Sequence, residues 1–377
     1  MSSNSGSRDI TAAVVRGKEQ PFVIEQARLR GPQDDEVLVK IVATGLCHTD
    51  LIVRDQYYPV PLPAVLGHEG AGIVEAVGPN VRELKAGDHV VLTYGQCGHC
   101  NPCRGGHGAY CRDFFALNFG GDDGHGHTAI TDAQGQPLHD HFFAQSSFAT
   151  FALAREINAI KVPDDAPLEL LGPLGCGIQT GAGAVLNSLQ VRSGSSFASY
   201  GAGAVGLSAV MAAKVAGATT IIAIDVVPSR LQLAMELGAT HVVNSRETDV
   251  IEAVRAITGG GADFALESTG RPEVLSAGIE ALGGLGMMGV VGAPKLGTTA
   301  SFDVNNLLFG WPQHPWHCRG RQRAAGVHSA AGDAVPAGAL PVRQAGEVLS
   351  AGADQPGGRG QYAGHHPEAD SADRGVR

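Results

Sequence analysis

Four of the seven cysteines fall within fifteen residues, in Cys97-Gly-His-Cys100-Asn-Pro-Cys103 followed by Cys111. Thiolates at this spacing, with Gly98, Gly105, Gly106 and Gly108 letting the chain fold tightly around them, meet the demand of a closed tetrahedral zinc site. Such a site has no open position and is structural. Two disulfides or four unpaired thiols are the alternative, which a chain without a secretion signal disfavours. A second, scattered set consists of Cys47 in Gly45-Leu-Cys-His-Thr-Asp50, His68 in Gly67-His-Glu-Gly70 and Cys176 in Gly172-Pro-Leu-Gly-Cys176. Each also reads as core on its own, the thiols as small packing residues and the histidine as a satisfied one. Together they are soft and borderline ligands that loop geometry could bring to one ion. The histidines of Asp122-Asp-Gly-His-Gly-His127, with His99 and His107, read as solvated loop residues.

The other chemistry-bearing stretch is Ser199-Tyr-Gly-Ala-Gly-Ala-Val-Gly206. A strand over 195–200 runs into it and a helix over 204–215 leaves it. Gly201, Gly203 and Gly206, with Val205 between them, suit a tight turn, an unhindered approach for a pyrophosphate and close packing of helix on strand. The free N–H groups and positive end of the helix face the phosphates. Nineteen residues on, Asp225 closes the next apolar strand, where a carboxylate accepts the ribose hydroxyls of NAD and repels the 2′-phosphate of NADP. A lone glycine-rich turn is also compatible with a purely structural role. Here strand, turn, helix, strand and terminal acid follow in order.

Elements of two kinds must position these groups. The first half is β-rich, with runs over 10–15, 22–27, 37–43, 71–77 and 89–93, and strand pattern again over 148–162. A loop rich in Gly, Asp and His covers 119–141, and residues 168–189 contain a small-residue run, Gly172 to Gly181, feeding a helix that links the halves. The second half alternates: helix 228–237, strand 241–244, helix 247–258, strand 262–267, helix 272–282, strand 286–292. This is an α/β chain whose second half is a doubly wound parallel sheet. Its 377 residues suit two domains, over 1–178 and 179–310. A net charge of -10 argues against a nucleic-acid partner. No apolar run approaches a membrane span and the N-terminus lacks the basic and apolar regions of a signal peptide, so a soluble cytoplasmic protein is expected.

The character changes after Gly310. Residues 311–377 contain no Ile, Phe, Lys, Asn, Thr or Met, and hydrophobic periodicity stops. Such a segment buries too little apolar surface to offset chain entropy, so a disordered extension is one reading. A change of reading frame near Gly310 is the other: one base later, Trp311 and Trp316 both become Gly, and codon freedom permits a strand-like sequence.

Assembled, these motifs resemble the zinc-dependent medium-chain alcohol dehydrogenases, most closely their aryl-alcohol branch, over about 10–310. The resemblance implies a GroES-like catalytic domain followed by a Rossmann domain. It implies catalytic zinc on Cys47, His68 and Cys176, with Glu69 as an alternate ligand, and structural zinc on Cys97, Cys100, Cys103 and Cys111. It further implies that Thr49 hydrogen-bonds the substrate oxygen, that Asp50 orients His68, and that Gly201, Gly203, Val205, Gly206, Asp225 and Arg230 bind NAD. Thr93 and Tyr94 fall at the wall of the substrate pocket. Many members carry a relay histidine where this chain has Ile52, and His48 is the candidate replacement. Expected partners are a small alcohol or aldehyde and further copies of the chain, as a homodimer or homotetramer, although the altered tail departs from the family where subunits pair.

Overall fold

The computed structural model describes residues 6–305 and the strand Arg323–Gly326. The first half is built from β1 (Arg8–Val15), β2 (Val23–Leu29), β3 (Glu36–Thr44), β4 (Ala64–Val65), β5 (Gly70–Val77), β6 (His89–Leu92), β7 (Ile130–Asp132), β8 (Pro137–Leu138), β9 (Phe151–Arg155) and β10 (Ala159–Lys161). They make two five-stranded sheets, ordered β4-β1-β2-β7-β8 and β10-β6-β5-β3-β9. Alternation sets the inward faces: Ile10, Ala12 and Val14 of β1 are buried and meet Ala27, Leu29, Leu38, Val65, Ile130 and Leu138 in one core. Each fully buried Val or Leu there contributes about 1.5 to 3 kcal/mol over an exposed one. The loop expected over 119–141 is in part a hairpin, because β7 pairs with β2 and β8 with β7. Its strands are too short, and too crowded by turn residues, to show a period.

Short helices fill the gaps between strands: α1 (His48–Arg54), α2 (Asn101–Arg104), α3 (Phe114–Phe119) and α4 (Leu168–Leu171). The linking stretch 168–189 is helical in pieces. After α4 come a 3-10 turn over Gly172–Gly175, α5 (Gly177–Gly183) and a π turn over Ala184–Ser188. The break falls at Gly172-Pro-Leu-Gly, where proline lacks the N–H that a continuous helix needs.

The second half alternates β11 (Ser196–Tyr200), α6 (Ala204–Val215), β12 (Thr220–Asp225), α7 (Pro228–Leu237), β13 (His241–Asn244), α8 (Val250–Thr258), β14 (Ala262–Glu267), α9 (Pro272–Glu280) and β15 (Leu282–Val290), with β16 (Arg323–Gly326) at the edge. Every pairing is parallel and the order is β13-β12-β11-β14-β15-β16. Counted from β11, this is 3-2-1-4-5-6, the dinucleotide-binding order, whose switch point lies beside β11. All five residues of β11 are buried, as expected for a central strand covered on both faces.

The sixth strand lies within the stretch expected to be unstructured. Arg323–Gly326 pairs with β15 in register Met287↔Arg323 to Val290↔Gly326, although Arg-Ala-Ala-Gly has no strand period. Ladder bonds need only backbone N–H and C=O groups, so apolar patterning is not required. The rest of the expectation for 311–377, with Cys318, lies outside the described residues.

Candidate active site

Cys47 stands at the N-terminus of α1, so Cys47, His48, Thr49 and Asp50 share a helix start and not the irregular loop expected. The Asp50 carboxylate is fully buried and fixes three donors. Its Oδ2 accepts the Cys47 N–H at 2.9 Å, and its Oδ1 takes the Gly67 N–H at 3.2 Å and His68 Nδ1 at 2.9 Å. Binding Nδ1 in this way leaves Nε2 as the ligating nitrogen. His68 Nε2 is buried with no hydrogen-bond partner, a costly state for an imidazole unless something else occupies that lone pair.

Cys176, in the break before α5, brings its Sγ to 4.0 Å from Cys47 Sγ. Ligand atoms of Cys47, His68, Glu69 and Cys176 all lie within 4.8 Å of one another. Two thiolates at about 2.3 Å from one tetrahedral zinc are about 3.8 Å apart, so the pair and the orphaned nitrogen fit that ion. The Cys176 thiol, with His68, holds the Cys47 thiol well below its ordinary range despite burial, while Cys47 and burial raise Cys176 well above it. Burial, then the Cys47 thiolate, pushes Glu69 up to about 8. Its Oε1 accepts the Gly177 N–H at 3.2 Å. Gly45 makes room for this carboxylate, since a Cβ there would lie 2.0 Å from Glu69 Oε2.

A strap over 141–146 covers the other side of His68. Phe143 stacks on the His68 ring at 4.4 Å between centroids and Phe142 meets it edge-on at 5.3 Å. Phe119 lies 5.2 Å and Phe114 6.4 Å from Phe143, so an aromatic wall runs outward from the ligand set. Gln145 Nε2 donates to the carbonyls of His68 (3.0 Å) and Thr93 (3.3 Å), and its Oε1 accepts the Gly70 N–H. His141, Phe143, Ala144 and Ser146 all have φ of 50–55°, left-handed conformations for residues with side chains. Each costs about 1 to 3 kcal/mol and persists only where its surroundings over-determine it.

Cys97, Cys100, Cys103 and Cys111 converge independently, with ligand atoms within 4.8 Å of one another. All four are free thiols, which removes the disulfide alternative. Backbone N–H groups of Arg112 and Cys103 bring Cys100 down to about 6. His99 Nδ1 donates to the Cys97 carbonyl at 2.9 Å, and His127 contacts Asp123 on the surface.

At the sheet's switch point, Gly201 has φ of 100°, and a Cβ on Gly206 would lie 1.9 Å from the Gly201 carbonyl oxygen. A Cβ on Gly203 would meet nothing within 4 Å, so that glycine faces open space at the start of α6. The Val205 carbonyl packs on Gly181 of α5, where a Cβ would lie 2.0 Å away. Asp225 Oδ2 accepts the Ala202 N–H at 2.8 Å and Oδ1 those of Val226 and Val227 at 2.7 and 2.9 Å. Arg230 Nη1 lies 4.0 Å from Asp225 Oδ2. Thr49 Oγ1 is 3.7 Å from Cys47 Sγ, His48 is exposed, and Ile52 is buried. Thr93 Oγ1 donates to the Gly175 carbonyl at 3.0 Å, and Tyr94 packs buried against Phe114.

Sequence reasoning missed Gln145, Phe142, Phe143 and Gly45 as parts of the site. Only the glycine, two residues before Cys47, carried a local signal. The others act through contacts that no spacing announces.

Residues 33–164 match the alcohol dehydrogenase GroES-like domain and residues 204–312 the zinc-binding dehydrogenase domain. A geraniol dehydrogenase of Castellaniella defragrans is 51% identical over 284 residues, covering 75% of this chain and 76% of that one. The crystal structure of benzyl alcohol dehydrogenase from Acinetobacter calcoaceticus superposes with a TM-score of 0.81 at 60% identity, covering 86% and 85% of the two chains. An alcohol dehydrogenase zinc-binding domain protein from Burkholderia ambifaria gives 0.82 at 68% identity, covering 91% and 88%. Two converging ligand clusters, a parallel sheet in dinucleotide-binding order and these matches lead to one conclusion: the chain belongs to the zinc-binding alcohol dehydrogenases.

Proposed function

We propose that this protein oxidises a primary aromatic alcohol of the benzyl type to its aldehyde with NAD, and catalyses the reverse. The observation that carries the substrate class is the aromatic wall of Phe143, Phe119 and Phe114 leading to His68, a surface suited to a flat ring. Likeness to a benzyl alcohol dehydrogenase supports it. Likeness to a geraniol dehydrogenase favours a second reading, an allylic alcohol, whose planar unsaturation next to the carbinol carbon suits the same wall.

Cys47, His68 and Cys176 are the residues that would hold catalytic zinc, with Glu69 as a fourth donor when substrate is absent. Cys97, Cys100, Cys103 and Cys111 would hold the structural ion. When bound, the catalytic zinc supplies Lewis acidity to the alcohol oxygen and NAD supplies a hydride acceptor. Thr49 Oγ1, on the first turn of α1, would accept the substrate's hydroxyl proton while giving up its own, and the exposed His48 would take that outgoing proton and pass it to solvent. Asp50 keeps His68 in the tautomer whose Nε2 is free to ligate. Gly201, Gly203, Val205 and Gly206 cradle the pyrophosphate, and Asp225 with Arg230 receives the adenosine ribose.

Replacing Cys47 with Ser is expected to abolish NAD-dependent oxidation of benzyl alcohol while leaving the affinity for NAD unchanged. Unchanged turnover in that variant rejects the assignment.

A further inference from the structure

The strap over 141–146 begins in a buried ion network that none of the chemistry above uses. His141 Nδ1 makes a short contact with Asp140 Oδ1, and His141 Nε2 lies 3.8 Å from Glu36 Oε1. Glu36, on β3, is held in turn by both terminal nitrogens of Arg30, at 2.5 and 2.8 Å, and by the Gln33 N–H. The second Asp140 oxygen accepts the N–H groups of Ala129 and Ile130, at 2.6 and 2.7 Å. His141, Glu36 and Asp140 are all at least nine-tenths buried. The network therefore ties the start of the strap to β3 and to the entry of β7.

Within six residues the same segment reaches the ligand set. Phe142 and Phe143 contact the His68 ring, and Gln145 holds the His68 carbonyl. Four residues of the strap, His141, Phe143, Ala144 and Ser146, are left-handed, so it keeps this path only while both ends are pinned. The far end is pinned by Ser146, whose hydroxyl donates to the Val65 carbonyl at 2.7 Å.

We infer that His141 is a positioning residue for the metal site: clamped between Asp140 and Glu36, it fixes the strap that sets the His68 ring and the aromatic wall. This rests on the reading of Cys47, His68 and Cys176 as zinc ligands. Burial disfavours the charged form of His141, but Asp140 and Glu36 outweigh it and push the ring up to about 9, so it is a cation between two carboxylates at neutral pH.

The test compares the full-length zinc-loaded protein with its His141→Gln and Glu36→Gln variants, following release of zinc to a chromophoric chelator. The four-cysteine ion serves as an internal control. His141→Gln is expected to speed release from the Cys47–His68–Cys176 site about tenfold, the low end of what loss of an orienting partner costs a metal site. Release from the four-cysteine site stays unchanged, and the KM for benzyl alcohol rises with little change in the affinity for NAD. Glu36→Gln, which leaves Asp140 in place, gives a smaller change in the same direction and covers the case in which His141→Gln does not fold. A lower melting temperature in either variant with unaltered zinc release and KM overturns the inference, as does equal acceleration at both metal sites. A protein that binds only one zinc, in the four-cysteine lobe, refutes the ligand assignment itself.

Discussion

Asp50→Asn is nearly isosteric, yet it strikes the one side chain on which three donors converge. In the native site Oδ1 serves Gly67 N–H and His68 Nδ1, while Oδ2 serves Cys47 N–H. An amide has a single acceptor oxygen. If that oxygen replaces Oδ1, the new NH2 group confronts the Cys47 N–H, two donors facing each other in a fully buried place. If it replaces Oδ2, the NH2 group faces His68 Nδ1, which must then accept, moving the imidazole proton to Nε2 and removing the lone pair a metal needs. Either orientation costs the metal site an oriented ligand, for which about 10- to 100-fold in affinity is typical, or about 1.4 to 2.7 kcal/mol. Competitive chelator titration of the purified variant reads this directly as weakened binding of one zinc of two. An Asp50→Asn protein that holds both ions with native affinity refutes the reasoning, because Asp50 would then have no part in selecting the His68 tautomer.

The remaining predictions concern the cofactor crevice and the ion network. Gly203→Ala should leave the melting temperature unchanged and weaken NAD binding at least tenfold, because its Cβ meets no protein atom but projects where the pyrophosphate approaches. Gly206→Ala should instead lower the melting temperature sharply, since its Cβ would lie 1.9 Å from a backbone oxygen; thermal denaturation with an NAD titration separates the two. For the network, burial raises Glu36 but Arg30 and His141 outweigh it and hold the carboxyl at about 2, below its ordinary 4.5. Its contribution, about 3 kcal/mol at most, is therefore present above pH 4.5 and lost as pH falls toward 2. His141, raised from 6.5 to about 9, stabilises fully below pH 6.5, and that contribution is lost as pH rises through 9. Denaturant midpoints measured across pH should show this network strongest between about 4.5 and 6.5, and Glu36→Gln should flatten the acid limb; an acid limb parallel to wild type contradicts it.

The cofactor half was legible because its signals are local. Helices over Ala204–Val215 and Pro228–Leu237 and the strand His241–Asn244 lie where periodicity and proline placed them, and the glycine turn falls at the switch point of the sheet. The four-cysteine lobe was legible for the same reason, with all its ligands in one loop. The second ligand set was not readable from spacing, since Cys47 and Cys176 stand 129 positions apart and meet only through the fold. Family resemblance, and not periodicity, pointed to that set. Nothing in His-Phe-Phe-Ala-Gln announces a left-handed strap, because side-chain residues adopt such φ values only under tertiary constraint. The β7–β8 hairpin and the edge strand β16 escaped for a related reason: each is held by its ladder partners and not by its own sequence preference.

Whether Cys47, His68 and Cys176 share one zinc ion is read by anomalous diffraction from crystals of the full chain on either side of the zinc absorption edge. Two peaks are expected, one between Cys47 Sγ, His68 Nε2 and Cys176 Sγ and the other within Cys97, Cys100, Cys103 and Cys111. A single peak in the four-cysteine lobe, from protein grown with excess zinc, contradicts it.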